Sequence, residues 1–176
     1  MDSLAETARL LESLRGIWDE EAVDELDHAL QSAAQAIAAG ADDELVLASA
    51  LHDLGHSRLL GLPSDYPHDK AAARWLTPRF GDRVGWLAGA HVAAKRFLAE
   101  TEPGYAADLS ETSTVSLAMQ GGAGADAAYV EHPWWPDAVR LRRFDDAAKV
   151  PGAQAVSIDD VLTVAARVLR GRATHS

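Results

Sequence analysis

The stretch LASALHDLGH, residues 47–56, decides how this chain is read. An apolar run from Leu47 to Leu51 hands over to His52 and Asp53, and His56 follows one helical turn later. Imidazole and carboxylate groups are rarely left buried without partners. An apolar approach to three of them therefore asks for a partner, and a metal ion is the first to consider. Neighbouring helical residues point about 100° apart. His52 and Asp53 can then share an ion only near a helix end, where Gly55 is expected to break the turn.

Working outward, the bulk composition bounds the answer. A chain of 176 residues that is 48% hydrophobic has the material for one compact core, so a single domain over residues 1–176 is expected. Sixteen Lys and Arg stand against 27 Asp and Glu, a net charge of −11 that repels nucleic-acid backbones and anionic membrane surfaces. No nucleic-acid or membrane partner is expected. The sequence has no cysteine, which excludes disulfides, thiolate zinc sites and cysteine nucleophiles. Any metal must be held by His and carboxylate. The charged, amphipathic N-terminal stretch has no basic region before an apolar block, and nothing approaches the length of a membrane span, so a cytoplasmic protein is the expectation.

Alanine and leucine dominate and apolar residues recur at three and four, which predicts an all-α fold with strands absent or trivial. Ser3 with Glu6 reads as a capping box opening a helix that stops at Gly16. Further helices are expected over about Glu21–Ala39 and Asp43–Leu54, the second ending at Gly55. The two prolines of SRLLGLPSDYPH mark a loop that delivers His68 to the start of a helix through Trp75. Another helix after PRFGD carries His91 and Lys95, and TEPGYAADLS reads as a loop. Ser110 or Thr112 caps a helix stopping at Gly121 and Gly122, and a short helix is broken by Pro133. One helix runs from Pro136 to about Lys149. Ser157 with Asp160 opens the last, which ends near Gly171.

Five of seven histidines fall in purposeful segments: His28, His52, His56, His68 and His91. His132 and His175 do not. Taken singly, His28 or His68 reads as a surface or hydrogen-bonded core residue. The set reads as a metal site, because imidazole and carboxylate suit zinc or a redox-active first-row metal and one carboxylate can bridge two ions. The spacing of His28, His52-Asp53 and the distant Asp145 resembles the HD-domain superfamily of metal-dependent phosphohydrolases and related oxygenases. Four such ligands make a one-metal site; His68 and His91 would supply a second ion, with Asp53 as the bridge.

The segments LDHALQSA, ALHDLGH, HVAAKRFL, SETSTVSLAMQGG and LRRFDDAAKVPG carry a closer likeness. From about Trp18 to Lys149 the chain resembles the HD-domain mixed-valence diiron oxygenases of the 2-amino-1-hydroxyethylphosphonate dioxygenase type, with myo-inositol oxygenase more remote. The resemblance implies a helical HD-domain bundle and two iron ions, ferrous and ferric, with O2 as co-substrate. One iron would be held by His28, His52 and Asp145, the other by His68 and His91, with Asp53 between. The ferric ion on the two-histidine side would chelate a small anionic substrate, a 1-hydroxyphosphonate, and the ferrous ion would take dioxygen. Cleavage of the carbon–phosphorus bond would give inorganic phosphate and a carboxylic acid. His56 and Lys95 fall at catalytic positions. Glu21, His56, Lys95, Ser113, Gln120, Arg142 and Lys149 fall at substrate-binding ones.

Helical spacing bears on the same residues. His91 and Lys95 are i and i+4, and Arg142, Asp145 and Lys149 are i, i+3 and i+7, so each set shares a helix face. Cations gathered beside metal ions call for an anionic ligand; taken singly, each reads equally as part of a solvated face paired with Asp146 or another acid.

The family has a Tyr-x-x-Glu element upstream of its first ligand; here Trp18, Asp19, Glu20 and Glu21 stand in that stretch. Glu21 keeps the carboxylate, but an indole cannot ligate iron as a phenol can. Trp18 could pack as a lid, hold an ammonium by cation–π contact, or sit in the core. Two other readings use the same residues: a two-metal phosphohydrolase acting on a phosphate ester, and a helical binding module with a vestigial metal site. Trp134 and Trp135 read as exposed, and the oligomeric state is open.

Overall fold

The computed structural model describes residues 2–19 and 22–174. Its described residues form eleven α-helices and no strand: α1 (Ser3–Ser13), α2 (Glu25–Ala38), α3 (Asp43–Leu51), α4 (His68–Phe80), α5 (Asp82–Gly89), α6 (His91–Thr101), α7 (Tyr105–Asp108), α8 (Glu111–Met119), α9 (Ala127–Val130), α10 (Trp135–Ala147) and α11 (Ile158–Ala173). The all-α expectation holds. No described helix is long and apolar enough to cross a membrane.

The architecture follows from α3. Every residue from Leu45 to Leu51 is buried, and a helix apolar on all sides must be enclosed by others. Helices α2, α5, α10 and α11 pack around it, while α4 lies against α5. Leu45, Leu47, Leu51 and Leu54 are fully buried, each worth about 1.5–3 kcal/mol on removal from water. The functional segment therefore leaves the centre of the bundle rather than its rim.

Several helix ends differ from the sequence reading. Asp2, not Ser3, caps α1, its side chain accepting from Leu4 N. The second helix begins at Glu25 rather than Glu21. Asp24 takes an extended conformation and its carboxylate accepts from the amides of Asp27 (2.9 Å) and Gly16 (3.0 Å), a cap that stops the helix from propagating backwards. Helix α4 runs past Trp75 and through Pro78 because Leu76 and Phe80 bury fully beyond it. The segment after PRFGD is two helices, α5 and α6, with a break at Ala90. TEPGYAADLS contains the short helix α7, which buries Tyr105. Ser110 caps α8, and the Ser157–Asp160 box opens α11, which continues through Gly171. Trp135 belongs to the core, edge-on to Phe97, and Trp134 is half-buried against Trp86.

Candidate metal centre

Helix α3 stops at Leu51, three residues earlier than expected. His52 is its C-cap and Asp53 (φ −98°, ψ 13°) leaves the helical path into a 3₁₀ turn over Leu54–His56. That departure turns the Asp53 carboxylate toward the same region as the His52 ring. Gly55 is needed for space, not for a left-handed turn: a Cβ there would lie 2.0 Å from the carbonyl oxygen of His68. The close approach sets the start of α4 against the end of α3.

Asp53 lies at the centre of the cluster. Its Oδ2 is 3.1 Å from His52 Nε2 and 3.4 Å from His28 Nε2. Its Oδ1 is 3.3 Å from His91 Nε2 and 3.4 Å from His68 Nε2. Asp145 joins the first group, with Oδ1 3.1 Å from His28 Nε2 and Oδ2 3.5 Å from His52 Nε2. His68 and His91 bring their Nε2 atoms within 3.0 Å of each other. All six residues proposed as ligands from the sequence are thus brought together from α2, α3, α4, α6, α10 and the turn after α3.

Three of the four imidazoles are fixed in tautomer as well as place. His28 Nδ1 donates to Ala148 O (2.8 Å), His52 Nδ1 to Ser49 O (2.7 Å) and His91 Nδ1 to Ala88 O (2.6 Å). A carbonyl only accepts, so Nδ1 carries the proton and Nε2 is left to face the cluster. The Nε2 atoms of His28 and His52 are buried and make no hydrogen bond, a costly state without a further partner. Burial opposes charge on both rings, but Asp145 and Asp53 overcome it, raising His28 well above the usual imidazole range and His52 to about 10. Burial likewise works against the two carboxylates, yet Asp53 is held well below the usual range by His52 and Asp145 by Arg142 and His52. The carboxylates that favour a proton here would also attract a metal cation, which would take the proton's place on Nε2. An all-nitrogen-and-oxygen donor set with orphaned, buried Nε2 atoms fits a first-row transition metal.

The second side of the cluster opens outward. His68 is partly exposed, and burial together with its histidine neighbours pushes it down to about 3, leaving a neutral ring. His56 stacks on it at 4.4 Å and donates from Nδ1 to Asp19 at 2.8 Å. Burial opposes charge on His56, and Asp19 raises it to about 9. Beyond lies a pocket of about 1060 Å³ whose wall includes Asp53, His56, His68, His91, Lys95, Ser113, Gln120, Arg142 and Asp145.

The sequence-proposed cations occupy different situations. Lys95 is buried and reaches Ser116 and, at 3.3 Å, Gln120. Lys149 lies beyond the end of α10, not on its face, and reaches Ser113 at 2.9 Å from the following turn. Arg142 is buried, not solvated, and its nitrogens go to Asp145, Asp146 and Tyr105. Asp146 turns to Arg142 and Tyr105 while its neighbour Asp145 faces the histidines. Trp18 is 64% exposed, so the core reading of it fails; Glu21 lies outside the described residues, as does His175. His132 stacks on Trp86 at 4.1 Å, away from the cluster.

Sequence reasoning missed several residues. Asp19 reaches His56, Ser116 reaches Lys95, and Gln31 exchanges two hydrogen bonds with Val150, pinning the segment whose Ala148 carbonyl orients His28. Only Gln31 left a trace in sequence, as a polar residue one turn after His28.

A helical bundle enclosing a buried histidine–carboxylate cluster at the floor of a pocket lined by both acids and cations defines an all-α protein with side chains that could hold metal. No family model matches the chain. Hydroxymethylphosphonate dioxygenase of Gimesia maris is 36% identical to it, over 82% of this chain and 77% of that protein. The glycine-betaine-forming 1-hydroxy-2-(trimethylamino)ethylphosphonate dioxygenase of Leisingera caerulea is 33% identical, over 80% of each. An uncharacterized protein of Acanthamoeba polyphaga mimivirus is 29% identical, over 74% of this chain and 64% of its own length. The chain belongs to the family of phosphonate dioxygenases.

Proposed function

We propose that the protein, as one HD-type domain over residues 1–176, is a diiron oxygenase that uses O2 to cleave the carbon–phosphorus bond of a small 1-hydroxyphosphonate. The stoichiometry balances as R–CH(OH)–PO3H2 + O2 giving R–COOH + H3PO4. The observation that supports it best is the division of the Asp53 carboxylate, Oδ2 toward His28 and His52 and Oδ1 toward His68 and His91. In this reading His28, His52 and Asp145 would hold one iron and His68 and His91 the other, with Asp53 available to both. The two irons, ferrous and ferric, supply Lewis acidity and oxygen activation.

The protein's own work is orientation and charge. Lys95 and Lys149, held over α8 by Ser113, Ser116 and Gln120, neutralise the phosphonate and aim its oxygens at the open side. His56, kept protonated by Asp19 and stacked on His68, stands where its charge and remaining N–H can face an anionic substrate. The buried walls of α3 and α10 keep water from the closed side.

The phosphohydrolase alternative uses the same cluster, but the named relatives are dioxygenases. Iron-loaded protein incubated with hydroxymethylphosphonate is expected to release phosphate and formate only in the presence of O2. Phosphate release at the same rate under anaerobic conditions would overturn the proposal.

A further inference from the structure

Arg142 lines the pocket, so its fork could be taken for a phosphonate clamp. Its hydrogen bonds point elsewhere. Nε donates to Tyr105 Oη at 3.0 Å, Nη1 to Asp145 Oδ2 at 2.6 Å and Nη2 to Asp146 Oδ1. The Tyr105 hydroxyl in turn donates to Asp146 Oδ2 at 2.5 Å. Arg142, Asp146 and Tyr105 thus close a ring, with one guanidinium N–H projecting from it onto Asp145. Arg142 is only 4% exposed and Tyr105 7%. Withdrawing the guanidinium to grip a substrate would leave the buried Asp145 and the partly exposed Asp146 without their cation, a costly exchange for the buried one.

The consequence falls on Asp145. Its Oδ2 accepts from Arg142 and lies 3.5 Å from His52 Nε2, while its Oδ1 lies 3.1 Å from His28 Nε2. We infer that Tyr105, Asp146 and Arg142 form a positioning ring that fixes the Asp145 carboxylate against the histidines, where it would hold a metal, leaving the substrate's anion to Lys95 and Lys149. This rests on the proposed function only in taking Asp145 as a ligand. Tyr105 and Asp146 act through Arg142 and touch neither metal nor substrate.

Partners of metal ligands typically carry about 10–100-fold in metal affinity. Tyr105→Phe removes the hydroxyl that ties the ring, and Asp146→Asn keeps its shape while removing its charge. Each should lower ferrous-iron affinity by about 10–100-fold in chelator competition and alter the Mössbauer spectrum of the iron-loaded protein. The KM for hydroxymethylphosphonate at saturating iron should stay within about twofold. Arg142→Lys keeps the charge but loses the fork and should behave like Tyr105→Phe. Wild-type iron affinity and spectrum in Tyr105→Phe and Asp146→Asn would overturn the inference, as would a rise in KM for Arg142→Lys with unaltered iron affinity. The affinity arm needs no turnover, so it decides the ring even if the oxygenase reading fails on its own anaerobic test.

Discussion

The two sides of the Asp53 carboxylate are built differently. On the Oδ2 side, His28 and His52 are fully buried, each is locked through Nδ1 to a backbone carbonyl, and Asp145 is held by a buried arginine. On the Oδ1 side, His91 has such an anchor, but His68 opens the first turn of α4, is partly exposed, and is steadied by ring stacking on His56. The closed side draws its ligands from the helices that enclose the core; the open side sits where a helix begins and a pocket meets it. If both sides hold metal as proposed, one position would be specified by protein alone, whereas the other would leave room for a ligand that comes and goes.

The comparison breaks most completely at its shared member. Asp53→Ala should abolish metal binding on both sides, read as metal content by elemental analysis, and with it all turnover. His68→Ala should leave about half the metal, because the closed side keeps its own donors. Equal loss in both variants would erase the distinction between the sides.

A second test sharpens it from the backbone. Gly55→Ala places a methyl group against the His68 carbonyl, so α4 must shift, at a cost of about 1–3 kcal/mol. Its metal affinity should fall on the open side before the closed side, seen as biphasic chelator release where His68→Ala gives one phase.

The smallest effect lies away from the site, in the cap on which His28's helix begins. Asp24→Ala should destabilise the protein by about 0.5–2 kcal/mol at neutral pH in urea melts. Burial acts to raise the Asp24 carboxyl, but the amides of Asp27 and Gly16 and the Arg15 guanidinium outweigh it and lower its pKa. A carboxylate lowered on folding contributes stability above its unfolded pKa and loses it as pH falls through the folded one. The gap between wild type and variant should therefore narrow below about pH 4.

The sequence made the helical class plain, since an Ala- and Leu-rich chain with apolar recurrence at three and four has few other ways to fold. It also marked the six candidate ligands, through the likeness of their order and spacing to the HD-domain oxygenases. It did worse wherever local and tertiary signals compete. Gly55 resembled a helix stop, yet its use is to let the His68 backbone approach. Lys149 seemed to share a face with Asp145, yet α10 ends before it. The partners of Arg142 were not legible at all: Tyr105 lies on a short helix that read as a loop, and Asp146 beside the candidate ligand Asp145.

By itself the sequence determined which side chains could meet a metal and that they would ride on helices, because donor chemistry and apolar periodicity are local properties of the chain. Which nitrogen faces inward, which carboxylate oxygen serves which side, and which cation is already engaged were decided only by the tertiary structure. His52 and His91 find their carbonyls three residues back, but His28 depends on a carbonyl 120 residues away and Arg142 on a tyrosine 37 residues away, partners that only the folded bundle brings within hydrogen-bonding distance.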